Sequence, residues 1–173
     1  QLGLSSERVA YQGKHYVLPR PGGEGKPIRL SQPPQPDLPI YLATLGPKAM
    51  ELTGEVARGW LRTFFSPKHA NILFESLMID LLTSGRTMTD IDIQVGGSFE
   101  IDDDVEKLIN ARRPAMAFTL GGMGSAQTNF YNDAFKRAGY EEAAGKVQSR
   151  WVNGDREAAI RAVPDEMVLN TNL

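Results

Sequence analysis

The sequence predicts an α/β fold with parallel strands, and three observations carry that prediction. Short apolar runs alternate with segments of helical spacing. Gly and Pro stand at the corners between them, as in Gly46-Pro47 and Gly85. A strand–helix–strand–helix–strand–helix order then gives way to further helices, which implies parallel pairing through right-handed crossovers. On these grounds alone, a doubly wound sheet and a barrel are both compatible.

The elements follow in order. "SERVAYQGKHYVLP" alternates weakly through Val9, Tyr11, Tyr16 and Leu18, with Gly13 where a hairpin turn would sit. "PRPGGEGKPIRLSQPPQPDLP", residues 19–39, reads as a long insertion loop with an extended piece at Ile28–Leu30. Loops of this length inside a domain usually carry function or are disordered. "PIYLATL", Pro39–Leu45, is a continuous apolar run and predicts a strand buried on both faces. "KAMELTGEVARG" predicts a helix with Met50, Leu52, Thr53, Val56 and Ala57 toward one side, and "WLRTFF", Trp60–Phe65, an aromatic-rich strand.

Ser66 and Pro67 open the next helix as N-cap and first residue. Its apolar face runs through Ile72, Leu73, Leu77, Ile79, Leu81 and Leu82, and Gly85 ends it. Ile91, Ile93 and Val95 alternate with Asp92 and Gln94 as a third strand, followed by Gly96-Gly97. The acidic run Asp102–Asp104 suits a helix N-terminus, with Val105, Leu108, Ile109, Met116, Phe118 and Leu120 on its apolar face and Pro114 expected to kink or break it. Helices separated at Gly139-Tyr140 and Asn153-Gly154 complete the chain.

Composition narrows the function. With 173 residues, 41% of them apolar, one domain can bury a core. A net charge of −2 argues against nucleic acid or an anionic membrane as partner. No cysteine is present, so disulfides, thiolate catalysis and cysteine metal sites are excluded. Two histidines distant in sequence, His15 and His69, give no multi-histidine metal site and no clear catalytic base. No apolar run reaches membrane-span length and no leader pattern is visible, which makes a cytoplasmic location the default expectation.

Two corners could hold a ligand. At Ala43-Thr44-Leu45-Gly46-Pro47 a strand delivers glycine to a helix N-terminus, where main-chain N–H groups favour a phosphate. The same residues also suit a plain tight turn. At the next strand end, Thr63 could bond a cofactor, Phe64 and Phe65 wall a substrate pocket, and Lys68 pair an anion. Core packing for both phenylalanines and a solvated lysine is the simpler reading there. "LGGMGS", Leu120–Ser125, lacks the strand and spacing of a dinucleotide fingerprint and reads as helix termination. With no convincing acid, base or nucleophile, cofactor-borne chemistry is expected.

Several stretches together resemble the luciferase-like monooxygenase superfamily, and within it the branch that uses coenzyme F-420. They are "YQGKHYVLP", "DLPIYLATLGPKAMELTGEVARGWLRTFFSP", "GGMGSAQTNFYNDAFKRAGYEEAA" and "AVPDEMV", in the family's order. The resemblance covers most of the chain from about Val9 onward. It implies a (β/α)8 TIM barrel, of which this chain would be roughly the second half, since a barrel takes about 250 residues. It also suggests that Ser5 and Ser6 join segments that are apart in the intact protein. It implies hydride transfer between coenzyme F-420 and a small organic substrate. FMN-dependent monooxygenation or a non-catalytic barrel relative are the alternatives. Ala43–Pro47 and Thr63 would then lie against the cofactor, Phe64, Phe65 and Lys68 against the substrate, and a homodimer is the expected assembly. The resemblance assigns no catalytic residue here, and Arg58 departs from the aspartate usual in the family.

Overall fold

The computed structural model describes residues 7–62, 64–97 and 99–171. The chain divides into two compact units, the first ending at Pro39 and the second beginning at Ile40. Thr63 and the Ser5–Ser6 junction lie outside the described residues.

In the first unit, β1 (Tyr11–Gln12) and β2 (Val17–Leu18) form an antiparallel hairpin with Tyr11 opposite Leu18. The turn closes where Gly13 N–H donates to the Tyr16 carbonyl at 2.9 Å. A side chain at Gly13 would run into the Tyr11 ring at 2.3 Å, so glycine is needed for space. Val9 bridges Ile28 in antiparallel fashion, which anchors part of the Pro/Gly-rich loop.

The second unit holds a parallel sheet of β3 (Tyr41–Leu42), β4 (Gly59–Arg62) and β5 (Asp92–Val95), in that order. Helix α1 (Pro47–Val56) joins β3 to β4, and α2 (Ala70–Thr83) joins β4 to β5. This is the predicted alternation. β3 is shorter than the apolar run Pro39–Leu45, and its backbone explains why. The Ile40 carbonyl accepts from both Arg58 and Gly59 N–H, and the Thr44 carbonyl accepts from the Trp60 indole at 3.1 Å. Pairing with β4 is limited to Tyr41 and Leu42, and past them the Thr44 carbonyl bonds the Trp60 side chain. Tyr41 and Leu42 are half-buried rather than enclosed on both faces.

Helix faces also differ from the apolar pattern. α1 buries Met50, Thr53, Gly54 and then Ala57, while Leu52 and Val56 are exposed. The reason is close packing: a Cβ on Gly54 would lie 2.5 Å from the Leu77 carbonyl oxygen of α2. α2 buries Leu73, Leu77 and Leu81 at spacing four, leaving Ile72, Ile79 and Leu82 outside. Ser66 precedes a 3-10 turn at Pro67–His69, yet its side chain makes no cap bond.

The helices after the sheet build a second core. α3 (Val105–Gly122) continues through Pro114, against expectation, so losing one backbone bond does not end it. Burial of Ile109 before the proline and Met116, Ala117 and Leu120 after it holds both halves in place, while Val105 and Phe118 are exposed. Then come α4 (Phe130–Phe135), a π turn at Lys136–Tyr140, α5 (Glu141–Val152), α6 (Arg156–Arg161) and α7 (Asp165–Leu169). Asn129 caps α4, and its amide and that of Asn132 reach carbonyls at the end of α3, including Leu120 at 2.9 Å from each. Gly121 sits against Trp151, where a Cβ would meet the side chain at 2.3 Å. The glycines and asparagines of "GGMGSAQTNFYND" are therefore packing and capping groups.

Candidate functional site

Ligands in parallel α/β structures collect at the C-terminal ends of the strands. At that edge Ala43 and Leu45 follow β3, Leu61 and Arg62 close β4, and Gln94, Val95 and Gly96 close β5. With Tyr131 they line an open groove of about 490 Å³. Leu61 turns its side chain to the uncovered face of the sheet and is 38% exposed, whereas Val95, the register partner of Arg62, lies on the opposite face at the strand end and is 42% exposed. On the open face Leu61 gives an apolar spot that a flat ring could cover, beside Gln94.

The corner 43–47 is held by a chain of bonds. Thr53 Oγ1 lies 2.8 Å from both the Ala49 carbonyl and Thr44 Oγ1, and the Thr44 carbonyl takes the Trp60 indole. Thr44 thus faces the helix layer. Gly46 has φ −86 and ψ 150, which any residue can adopt. Nothing lies within 4 Å of a Cβ built there, so neither the fold nor the turn demands glycine. Pro47 starts α1 as its first residue. Arg137, from the π turn, donates to the Leu45 carbonyl at 3.0 Å and puts a cation beside the corner.

The other sequence-derived positions separate. Phe64 adopts φ 56, an uncommon value for an aromatic residue, and stacks edge-on to Tyr131. Phe65 instead packs against Phe74 beside the sheet core. Lys68 forms an ion pair with Glu166, and that bond holds its ammonium above the usual lysine range.

Two groups were not legible as site residues. Arg62 is 4% exposed, and burial, with Arg137 nearby, pushes its pKa down to about 10. His69 lines the same small cavity as Arg62 and stands edge-on to Tyr140 at 5.2 Å between ring centroids. Arginine at a strand end reads as exposed in sequence, and a lone histidine carries no spacing signal. Arg58 is exposed at the opposite end of β4; the α1-to-sheet contact comes from Arg86, which donates to the Gly54, Ala57 and Asp90 carbonyls at 2.7, 2.7 and 3.0 Å. The described residues contain no cluster of three or more potential metal ligands, and no helix among them is long and apolar enough to cross a membrane.

The family model for luciferase-like monooxygenase matches residues 1–173. The chain belongs to the luciferase-like monooxygenase family. A relative from Mycobacterium tuberculosis, provisionally named a coenzyme F-420-dependent oxidoreductase, is 34% identical over 97% of this chain and 50% of its own length. The 5,10-methylenetetrahydromethanopterin reductase of Methanopyrus kandleri is 27% identical over 95% of this chain and 44% of its own. The solved structure of the coenzyme F-420-dependent tetrahydromethanopterin reductase from that organism matches at TM-score 0.71 and 26% identity, over 98% of this chain and 46% of that one. An F-420-dependent secondary alcohol dehydrogenase in complex with an F-420–acetone adduct matches in fold alone, at TM-score 0.58 and 14% identity over 99% of this chain and 44% of that one. The chain spans about half the length of the relatives it matches, and the sheet is accordingly part of a luciferase-like barrel.

Proposed function

We propose that the protein is an oxidoreductase that moves a hydride between coenzyme F-420 and a small organic substrate, with this chain supplying part of the cofactor pocket. The observation that carries the reading is the open space at Gly46, set at the strand-end groove beside the α1 N-terminus. A glycine that the backbone does not need and no neighbour crowds is consistent with room left for a ligand. The named activities of the F-420-dependent relatives support the same cofactor.

The residues present fit such a group. When bound, the deazaflavin would supply the hydride chemistry that no side chain here offers. Ala43, Leu45, Leu61 and Val95 would keep water from the ring, Gly46 would leave the main chain open to an anionic tail, and Pro47 would start the helix there. Thr44 acts behind the corner, holding its shape through Thr53. Phe64, fixed against Tyr131 and Phe135, would form a wall on the substrate side. Thr63 is proposed to touch the cofactor and Lys68 the substrate, and a homodimer is the proposed assembly.

Titration of the whole protein with F-420 and, separately, FMN tests the reading. Saturable F-420 binding is expected, weakened at least about tenfold in Gly46→Val with little change in melting temperature, because the new side chain meets only ligand space. Tighter FMN binding would favour the monooxygenase alternative. No binding of either cofactor would remove the enzyme reading, and unchanged affinity in Gly46→Val would remove the corner from the site.

A further inference from the structure

Behind the strand ends, on the helix side of the sheet, lies a second, much smaller and partly open space. It measures about 20 Å³, and its wall includes Arg62, Ser66, His69, Tyr131, Phe135 and Tyr140. Room of that size holds one water-sized particle, since about 10–15 Å³ suffices for one. Four polar atoms in this wall are buried without a hydrogen-bond partner: Arg62 Nε, Arg62 Nη1, Ser66 Oγ and His69 Nε2. Arg62 and Ser66 are 4% and 3% exposed.

A buried guanidinium with unused N–H groups costs several kcal/mol unless an opposite charge compensates it. No aspartate or glutamate lines the cavity. The charged group that acts on Arg62 is Arg137, of the same sign, and the Trp60 ring, 5.8 Å from the guanidinium carbon, offers only a weak cation–π contact. A pKa near 10 still leaves Arg62 cationic at neutral pH. The burial pattern along β4 places Trp60 and Arg62 on one face and exposed Leu61 on the other. The guanidinium therefore turns toward the helices of this chain, away from the open face where the rest of a barrel would pack.

We infer that Arg62, Ser66 and His69 form a binding site for a single halide-sized anion, with chloride as its occupant. Both arginine N–H groups, the serine hydroxyl and the imidazole Nε2 are groups able to donate to it, and no aspartate or glutamate side chain in the lining competes. Polyatomic anions such as sulfate or phosphate exceed the space. The site shares Leu45, Arg62 and Tyr131 with the wall of the proposed cofactor groove, but its test needs no cofactor. Its role is to neutralise Arg62 and so hold the 64–69 loop against α4 and the π turn, with Phe64 carried on that loop.

Denaturation of the whole protein in sodium chloride, against sodium gluconate at equal ionic strength, measures the linkage. One ion bound only by the native state lowers the unfolding constant about tenfold for each tenfold rise in chloride above its dissociation constant. That slope is expected in chloride and in bromide, and its absence in gluconate. Arg62→Met should abolish it while the protein stays folded in gluconate, because an apolar chain suits an uncompensated buried position. Ser66→Ala, the milder variant, should shift the onset to about tenfold higher chloride by removing one donor. A response that follows ionic strength alone, or a chloride slope that survives Arg62→Met and keeps its onset in Ser66→Ala, would overturn the inference and leave the cavity to water.

Discussion

Thr53→Val probes the bond chain that shapes the 43–47 corner. Thr53 is fully buried, and its hydroxyl oxygen, which carries a single proton, lies 2.8 Å from two other oxygens. The Ala49 carbonyl can only accept, so Thr53 donates to it and Thr44 must donate to Thr53. Valine has nearly the same volume, so no cavity forms and the loss is that of two neutral hydrogen bonds. At about 1 kcal/mol each, offset partly by the more apolar methyl, the expected cost is about 1–2 kcal/mol. Thr44→Val removes only the shared bond and should cost about 0.5–1 kcal/mol, since Thr53 keeps its bond to Ala49. The double variant should cost little more than Thr53→Val, giving a coupling of about 0.5–1 kcal/mol. Urea denaturation of the three variants and the parent, at unchanged m, reads these values. A Thr53→Val midpoint at or above the parent's, or fully additive costs, would refute the stabilising bond chain through Thr53.

Three other outcomes follow from the packing. Gly54→Ala would stabilise an exposed helix by nearly 1 kcal/mol, but here its Cβ meets α2 backbone, so a net loss of about 1–2 kcal/mol is expected in denaturation; a gain would refute the close α1–α2 approach. Arg86→Ala should cost about 2–4 kcal/mol by freeing carbonyls at the end of α1, and Arg86→Lys should recover less than half, because an ammonium cannot match the planar fork; complete rescue by lysine would show that charge alone matters. The Thr87 N–H and hydroxyl hold the Asp90 carboxyl below its usual range. Its stabilisation is present above the unfolded-state pKa and is lost as pH falls through the lower folded value. Asp90→Asn should flatten this acid limb in urea midpoints taken from about pH 6 to 3, and an identical limb would discount the Thr87–Asp90 bonds.

How much was legible varies with the kind of residue. The alternation of runs made the parallel sheet and its crossover helices visible, Gly13 and Gly85 marked a turn and a helix stop, and the Asp102–Asp104 run marked a helix N-terminus whose cap the structure assigns to Asp104. Of the site, the Gly46-Pro47 corner was visible, because strand, glycine and helix start are adjacent in sequence. Arg62 and His69 were not. Their surroundings come from α4 and the π turn, some seventy residues onward.

By itself the sequence determined the order and type of the main elements, since hydrophobic period and turn chemistry act over a few residues. Tertiary structure alone decided which faces are buried: Thr53 and Gly54 lie inside because α2 approaches at backbone distance, while the more apolar Leu52 and Val56 stay outside. It also decided the charge environment at the strand ends, where packing of the later helices buries Arg62 with no acidic partner among the described residues. Apolarity can be counted along a chain; which group faces it across the fold depends on residues far away.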